Sequence, residues 1–166
     1  MYTTRLKKCI IPGSFDPFTL GHFDIVKSVW DLFDQVDIIV AVNPDKDYMF
    51  TADERVEIIE NILNDINNTQ KEHVYVHKWN GMLYDFCKGN ENNTYIIKGV
   101  RGYDDLVWEN KQSEFNLSHN IKTIYVPSIR KNVSSTIIRD SIKNGNGVWK
   151  EYVHPTTIDY IEKKNQ

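Results

Sequence analysis

Cysteine is scarce and scattered: Cys9 and Cys87 are the two thiols in 166 residues, and they form no CxxC pair. That excludes a disulfide framework and a cysteine-rich zinc site, and both positions sit in apolar surroundings expected of buried, reduced thiols. Long apolar runs are missing too. None approaches the roughly 20 residues that a membrane-spanning helix requires, and the basic start "MYTTRLKKCII" has too short an apolar stretch for a secretory leader. A cytoplasmic protein without a membrane partner is the expectation. Excess positive charge is absent, the formal net charge being −3. A broad nucleic-acid surface is therefore not expected, although a local basic cluster stays open. No repeat, low-complexity block or linker interrupts the chain, so residues 1–166 are expected to form a single domain.

Several nucleotide and hydrolase motifs are also missing. There is no GxxxxGK[ST] loop, no GxSxG elbow and no HExxH. The glycines of "NGNG" (144–147) end a helix where a dinucleotide-binding loop would start one.

Strand and helix signals alternate instead. "KKCII" reads as a buried strand, and residues 20–33 read as a helix with Ile25, Val26, Val29, Trp30 and Phe33 turned inward. The continuous apolar run "VDIIVAV" (36–42) suits a parallel strand covered on both faces. Thr51-Ala52-Asp53-Glu54 is a capping box opening the next helix. "HVYVHKW" is a third strand, followed by a short helix near 81–88, strand "TYIIK" (94–98) and a helix near 104–118. Strand "KTIYVP", a helix over 134–143 stopped by Gly145, and a last helix from Pro155 complete the pattern. The expected fold is α/β: a doubly wound, five-stranded parallel sheet, Rossmann-like, with helices on both faces.

Ligands of such sheets bind beyond the carboxyl ends of the strands, near the point where strand order reverses. The segments expected there share a character. "PGSFDPFTLGH" (12–22) follows the first strand and "NPDKDYMF", with Lys46, the second. "KGVRGYDD" follows the fourth, with Lys98 and Arg101 bracketing Gly99, and "PSIRKNVSST", with Arg130 and Lys131, the fifth. In an acidic chain, this convergence describes a phosphate site. Thr19 as a helix cap puts His22 in the first helical turn, where the dipole favours anions and an imidazole N–H adds a donor. Gly13 and Gly21 are expected to allow close backbone approach or positive φ. Ser134-Ser135-Thr136 opens a second helix, with Arg139 one turn further in. A site of Lys, Arg and His without paired carboxylates or an activated nucleophile points to phosphoryl or nucleotidyl transfer, which needs chiefly positioning and charge stabilisation.

"TLGH" (19–22) and "VSSTIIR" (133–139) resemble the two signatures of the nucleotidylyltransferase superfamily. "PGSFDPFTLGHFDIV", "MFTADERV", "IIKGVRGYDDLVWE" and "VSSTIIRDSI" are, in order and spacing, similar to the phosphopantetheine adenylyltransferase family over nearly the whole chain. The resemblance implies transfer of AMP from ATP to 4′-phosphopantetheine, giving dephospho-coenzyme A and pyrophosphate by direct in-line attack. It implies that His22 stabilises the transition state, with Lys46 and Arg101 also catalytic. It implies an ATP site of Ser14, Phe15, His22, Gly99, Val100, Arg101, Glu109, Ser134, Ser135 and Thr136. Ser14, Lys46, Leu83 and Lys98 would bind the acceptor. Mg²⁺ would ride on substrate oxygens without a protein metal site, and the family implies a homo-oligomer, a hexamer. Departures from its pattern are Lys98 for the usual Arg, Ser14 for Thr, Trp108 for Tyr, Asp140 for Glu, and a loop 128–133 about one residue short.

Other readings accompany these. Lys98 and Arg101 could pair with Asp104 or Asp105, and Glu109 with Lys111. Ser134 and Ser135 could be helix caps, Trp108 a packing residue, and His73 and His77 solvent-facing polar positions on one strand face. The alternative functions are another nucleotidylyltransferase, for cytidylyl transfer or a nicotinamide mononucleotide acceptor, and a nucleotide-binding sensor without catalysis.

Overall fold

The computed structural model describes residues 6–66 and 72–164. Five strands, β1 (Lys8–Gly13), β2 (Gln35–Ala41), β3 (Val74–Trp79), β4 (Thr94–Val100) and β5 (Lys122–Pro127), form one parallel sheet in the order β3-β2-β1-β4-β5. The helices are α1 (Leu20–Val29), α2 (Ala52–Asp65), α3 (Leu83–Cys87), α4 (Tyr103–Ser118), α5 (Ser135–Lys143) and α6 (Pro155–Lys164), with short 3₁₀ turns at Glu91–Asn93 and Gly147–Tyr152. This is the doubly wound α/β sheet the sequence leads one to expect. The connection from β1 runs to one side and the β3-to-β4 crossover returns to the other, so strand order reverses between β1 and β4.

Alternate residues of the central strands enter two cores. Cys9, Ile11, Val36, Ile38, Val40 and Ile97 pack with residues of α1, α2, α5 and α6. Ile10, Ile39 and Ile96 pack on the other face with Cys87 of α3 and with Ile121. Burial on both faces is why β2 reads as an unbroken apolar run.

Three boundaries differ from the sequence reading, and two of them move site residues. α1 ends at Val29, where residues 20–33 were expected to be helical. Leu32 N–H bonds to the Val29 carbonyl and Asp34 N–H to that of Lys7, turning the chain into β2. Phe33 still reaches the core, packing on Tyr95 at 5.5 Å, because a turn rather than helical period aims it there. β1 continues through Pro12 and Gly13, and β4 runs on to Val100. Lys98, Gly99 and Val100 are thus the last residues of a strand, and Arg101 is the first residue beyond it.

Candidate active site

At the reversal point, the first turn of α1 is built around an unusual cap. Thr19 Oγ1 accepts from the His22 backbone N–H (3.2 Å), while the Thr19 backbone N–H donates to His22 Nδ1 (3.0 Å). The ring thus takes the place that Glu or Gln usually holds in a capping box. An amide can only donate, so Nδ1 carries a lone pair and the neutral ring keeps its proton on Nε2, the edge left for the cavity. The rings of Phe15 and Phe18 pack on the imidazole at 5.0 and 5.4 Å. Removal from water, and secondarily the charge of Arg101, pull the His22 pKa down to about 4. Near neutral pH it is an uncharged hydrogen-bond donor.

Phe15 is buried and holds φ of 51°, a left-handed conformation that costs energy for a bulky residue and concentrates at functional sites. The expectation of positive φ at Gly13 or Gly21 is corrected by this: neither glycine has it. Gly13 instead makes room for the Phe15 ring, since a Cβ there would lie 2.6 Å from it. Gly99 has a comparable role, because a Cβ would meet Ile25 Cδ1 at 2.0 Å and lift α1 from β4.

Two cavities open at the strand ends. The smaller, about 280 Å³, is lined by His22, Gly99, Arg101, Trp108, Glu109, Ser134 and Ser135, among others. The larger, about 730 Å³, is lined by Ser14, Leu83 and Lys98, with Trp79, Met82, Phe115 and Lys111. Lys98 joins them: its Nζ lies 3.1 Å from Glu109 of the smaller cavity and donates to Gln112 of the larger at 3.4 Å. Glu109 therefore pairs with Lys98 and not with Lys111. Arg101 forks onto Asp105, with N–H···O distances of 3.0 and 3.3 Å, and so holds that carboxyl below the usual carboxylate range. Both carboxylates of the smaller cavity are engaged by cations. The larger has none.

The remaining candidates stand around these cavities. Ser134 caps α5 through the Ile137 N–H, and the Ser135 hydroxyl donates to the Pro17 carbonyl at 2.8 Å, which ties the second helix start to the first loop. Thr136 Oγ1 accepts from Arg139, whose other nitrogen donates to the Asp16 carbonyl (2.7 Å). Neither the exposed Thr136 nor the half-buried Val100 lines a cavity, and Phe15 lies beneath His22. Lys46 is exposed on the turn after β2, with its Nζ 5.9 Å from the Tyr48 ring centre. It lines neither cavity, although Val42, Asn43 and Pro44 beside it line the larger. Arg130 turns to Asp24 of α1 (2.7 Å). His73 donates to the Trp30 carbonyl (2.6 Å), whereas His77 meets the buried Asp37 (2.8 Å) and is not an idle solvent-facing group.

Two further residues organise the site. Asp16, 2% exposed, accepts from the Met49 and Phe50 N–H groups at 2.9 Å and so pins the loop after β2 to the loop after β1. Arg55 bonds the carbonyls of Ser14 and Ala41. Asp16 stands between Phe15 and Pro17 in a largely apolar stretch, whereas Arg55 follows Asp53 and Glu54 and carries no such signal. A third groove, between α2 and α6, is lined by Glu54, Glu57, Asp65 and Asp159 with Lys163 and Lys164, and no strand end reaches it.

Residues 10–141 match the family model described as cytidylyltransferase-like. Over the described residues the fold is similar to that of Plasmodium falciparum nicotinic acid mononucleotide adenylyltransferase in complex with NaAD, with a TM-score of 0.75 at 21% identity over 97% of both chains. At that identity the likeness speaks to the fold alone. The family model places the chain in the cytidylyltransferase-like class. The chain is 36% identical to phosphopantetheine adenylyltransferase of Clostridium kluyveri over 95% of each chain. It is 34% identical to that of Christiangramia forsetii, over 96% of this chain and 100% of the relative. The chain belongs to the phosphopantetheine adenylyltransferase family.

Proposed function

We propose that the chain transfers AMP from ATP to the phosphate of 4′-phosphopantetheine, releasing pyrophosphate and forming dephospho-coenzyme A. The observation that carries this reading is a pair of cavities bridged by the Lys98–Glu109 ion pair: one is ringed by helix N-termini, His22 and Arg101, and the other by two lysines, apolar side chains and no carboxylate. The first suits a nucleotide's phosphates; the second suits a terminal phosphate on a long, largely uncharged arm.

An oxygen of the acceptor phosphate forms a bond to the α-phosphorus of ATP as the bond from that phosphorus to the bridging oxygen breaks, and both electrons leave with pyrophosphate. The acceptor is already ionised near neutral pH, its second pKa being about 6, and needs no general base. His22 Nδ1 faces Thr19 and not a carboxylate, so the ring is held as a donor. Its Nε2–H stabilises charge on the α-phosphate oxygens, aided by Arg101 and by the N–H groups at the starts of α1 and α5. Ser14, Phe15, Gly99, Val100, Glu109, Ser134, Ser135 and Thr136 form or support the nucleotide site. Lys98, Leu83 and Ser14 take the acceptor, and Lys46 swings from its exposed turn to the reacting phosphates.

Mg²⁺ is the ion we assign to the leaving pyrophosphate, neutralising its charge. Among the described residues no group of three or more His, Cys, Asp or Glu side chains can hold a metal, and both carboxylates of the nucleotide cavity are paired with cations. Phosphate oxygens and water would be its main ligands, as magnesium favours. No helix among the described residues is long and apolar enough to cross a membrane. We assign the protein to the cytoplasm, a setting that the buried free thiols of Cys9 and Cys87 support.

Pyrophosphate release with ATP, Mg²⁺ and 4′-phosphopantetheine tests the proposal, with CTP and nicotinamide mononucleotide as alternative substrates. The His22→Ala protein is expected to bind both substrates while losing about 10²–10³ in kcat, the usual effect of deleting one transition-state donor. Turnover of a different pair, or tight ATP binding without any product, would replace the proposal with one of the alternatives.

A further inference from the structure

Arg55, in the first turn of α2, is 1% exposed. A guanidinium does not lose its proton in a protein, and a buried charge normally persists beside an opposite one. Among the described residues, no carboxylate forms an ion pair with Arg55. Its partners are carbonyls. Nη1 donates to Ser14 (2.5 Å) and Ala41 (3.1 Å), and Nε donates to Thr51 (3.3 Å). One face of the guanidinium lies 4.0 Å from the centre of the Tyr48 ring, over which Lys46 Nζ also sits.

Ser14 and Ala41 follow or end adjacent strands, and both line the larger cavity with Lys98. Carbonyls at the carboxyl end of a parallel sheet would present their negative ends to whatever binds there. Arg55 takes up two of them from behind. Carbonyl dipoles offset only part of a full charge, so a positive potential remains just beneath the cavity wall.

We infer that Arg55 is a positioning residue of the acceptor site: its buried, carboxylate-free charge masks the strand-end carbonyls and raises the cavity's preference for a phosphorylated arm. This rests on the acceptor reading given above. It also gives the Tyr48 ring a role, as the neutral face that lets a cation stay buried without an anion cancelling it.

The test compares binding of 4′-phosphopantetheine with that of unphosphorylated pantetheine to the full chain by calorimetry. In the wild type, the ratio of the two affinities measures the phosphate preference. Arg55→Met is expected to lower that ratio about tenfold, the effect of removing a charge a few ångströms away, while pantetheine affinity holds. Arg55→Lys should restore most of it. If Arg55→Met does not fold, Tyr48→Glu against Tyr48→Gln makes the same measurement, because the new carboxylate cancels the charge and leaves the guanidinium in place. An unchanged ratio in folded Arg55→Met, or in Tyr48→Glu, overturns the inference. So does an equal fall of both affinities that Arg55→Lys does not repair, which marks a merely structural role. A wild type indifferent to the phosphate sinks the acceptor reading instead, and pyrophosphate affinity across the same variants then decides the case of Arg55 by the same tenfold criterion.

Discussion

His22 shows how one residue type settles several properties of a site. A glutamate in its place would close the capping box equally well but would put a negative charge where phosphates bind. Histidine closes the box with a ring lone pair and leaves an N–H on its far edge. Protonation would place a hydrogen on Nδ1 against the Thr19 N–H, so the cap itself opposes the charged form. NMR titration of the free protein is therefore expected to show His22 neutral, with its proton on Nε2, down to about pH 4. The sign for stability follows: the folded pKa lies below the unfolded value of 6.5, so the contribution is complete above pH 6.5. It falls away as pH drops through about 4, where folded and unfolded states become equally protonated. The pH profile of kcat/KM should accordingly show no limb from His22 near 6.5. A ring that titrates at its ordinary value in the folded protein contradicts the cap.

At the scale of elements, α1 and α5 carry the chemistry, and close packing sets their depth. Gly99 lets α1 sit directly on β4, bringing His22 to the strand ends. Gly99→Ala is expected to cost about 1–3 kcal/mol of stability, as overpacking does, and to lower kcat by displacing the start of α1. Trimming the opposing side chain, Ile25→Val, should recover part of both losses in the double variant, because the atom an added methyl would strike is Ile25 Cδ1. Denaturant unfolding together with steady-state kinetics on the four proteins of the cycle checks this, and strictly additive losses would mean that the helix is not held by this contact. α5 is fastened differently. Ser135 and Arg139 donate to carbonyls of Pro17 and Asp16, and Asp16 in turn holds Met49 and Phe50, so the start of α5 and the loops after β1 and β2 are tied together.

For the molecule as a whole, the two faces of the sheet are unevenly covered. Four helices close one side, whereas α4 leaves Tyr103, Val107 and Leu117, which share one helical face, well exposed and buries little more than Asn116. Exposed apolar side chains on one face of a surface helix suit an interaction surface. It supports the homo-oligomer that the family resemblance implies. Light scattering on the purified protein should give several chain masses, a hexamer being the expected state, and Leu117→Glu should reduce the mass while secondary structure is kept. A monomer at micromolar concentration would count against assembly through this face.

The alternation of apolar runs and capped amphipathic segments determined the fold, because apolar periodicity and helix capping are properties that each segment carries by itself. The cap at Thr19, the capping box at Thr51, the stop at Gly145 and the start at Pro155 all stand where the residue pattern puts them. His22, Arg101, Ser134 and Ser135 could be read as one cluster because strand ends in a doubly wound sheet must converge, whereas Glu109, inside α4, was implied only by the family resemblance. Only the tertiary structure decided which partners they took. Glu109 lies opposite Lys98, Arg101 opposite Asp105, and Phe15 rather than a glycine bears the strained φ. Arg55 and Asp16 owe their importance chiefly to long-range contacts, those to Ser14, Ala41, Met49 and Phe50 spanning 14 to 41 residues of chain. A charged side chain in sequence carries no mark of whether it will meet water or a carbonyl, since that depends on which distant segment packs over it.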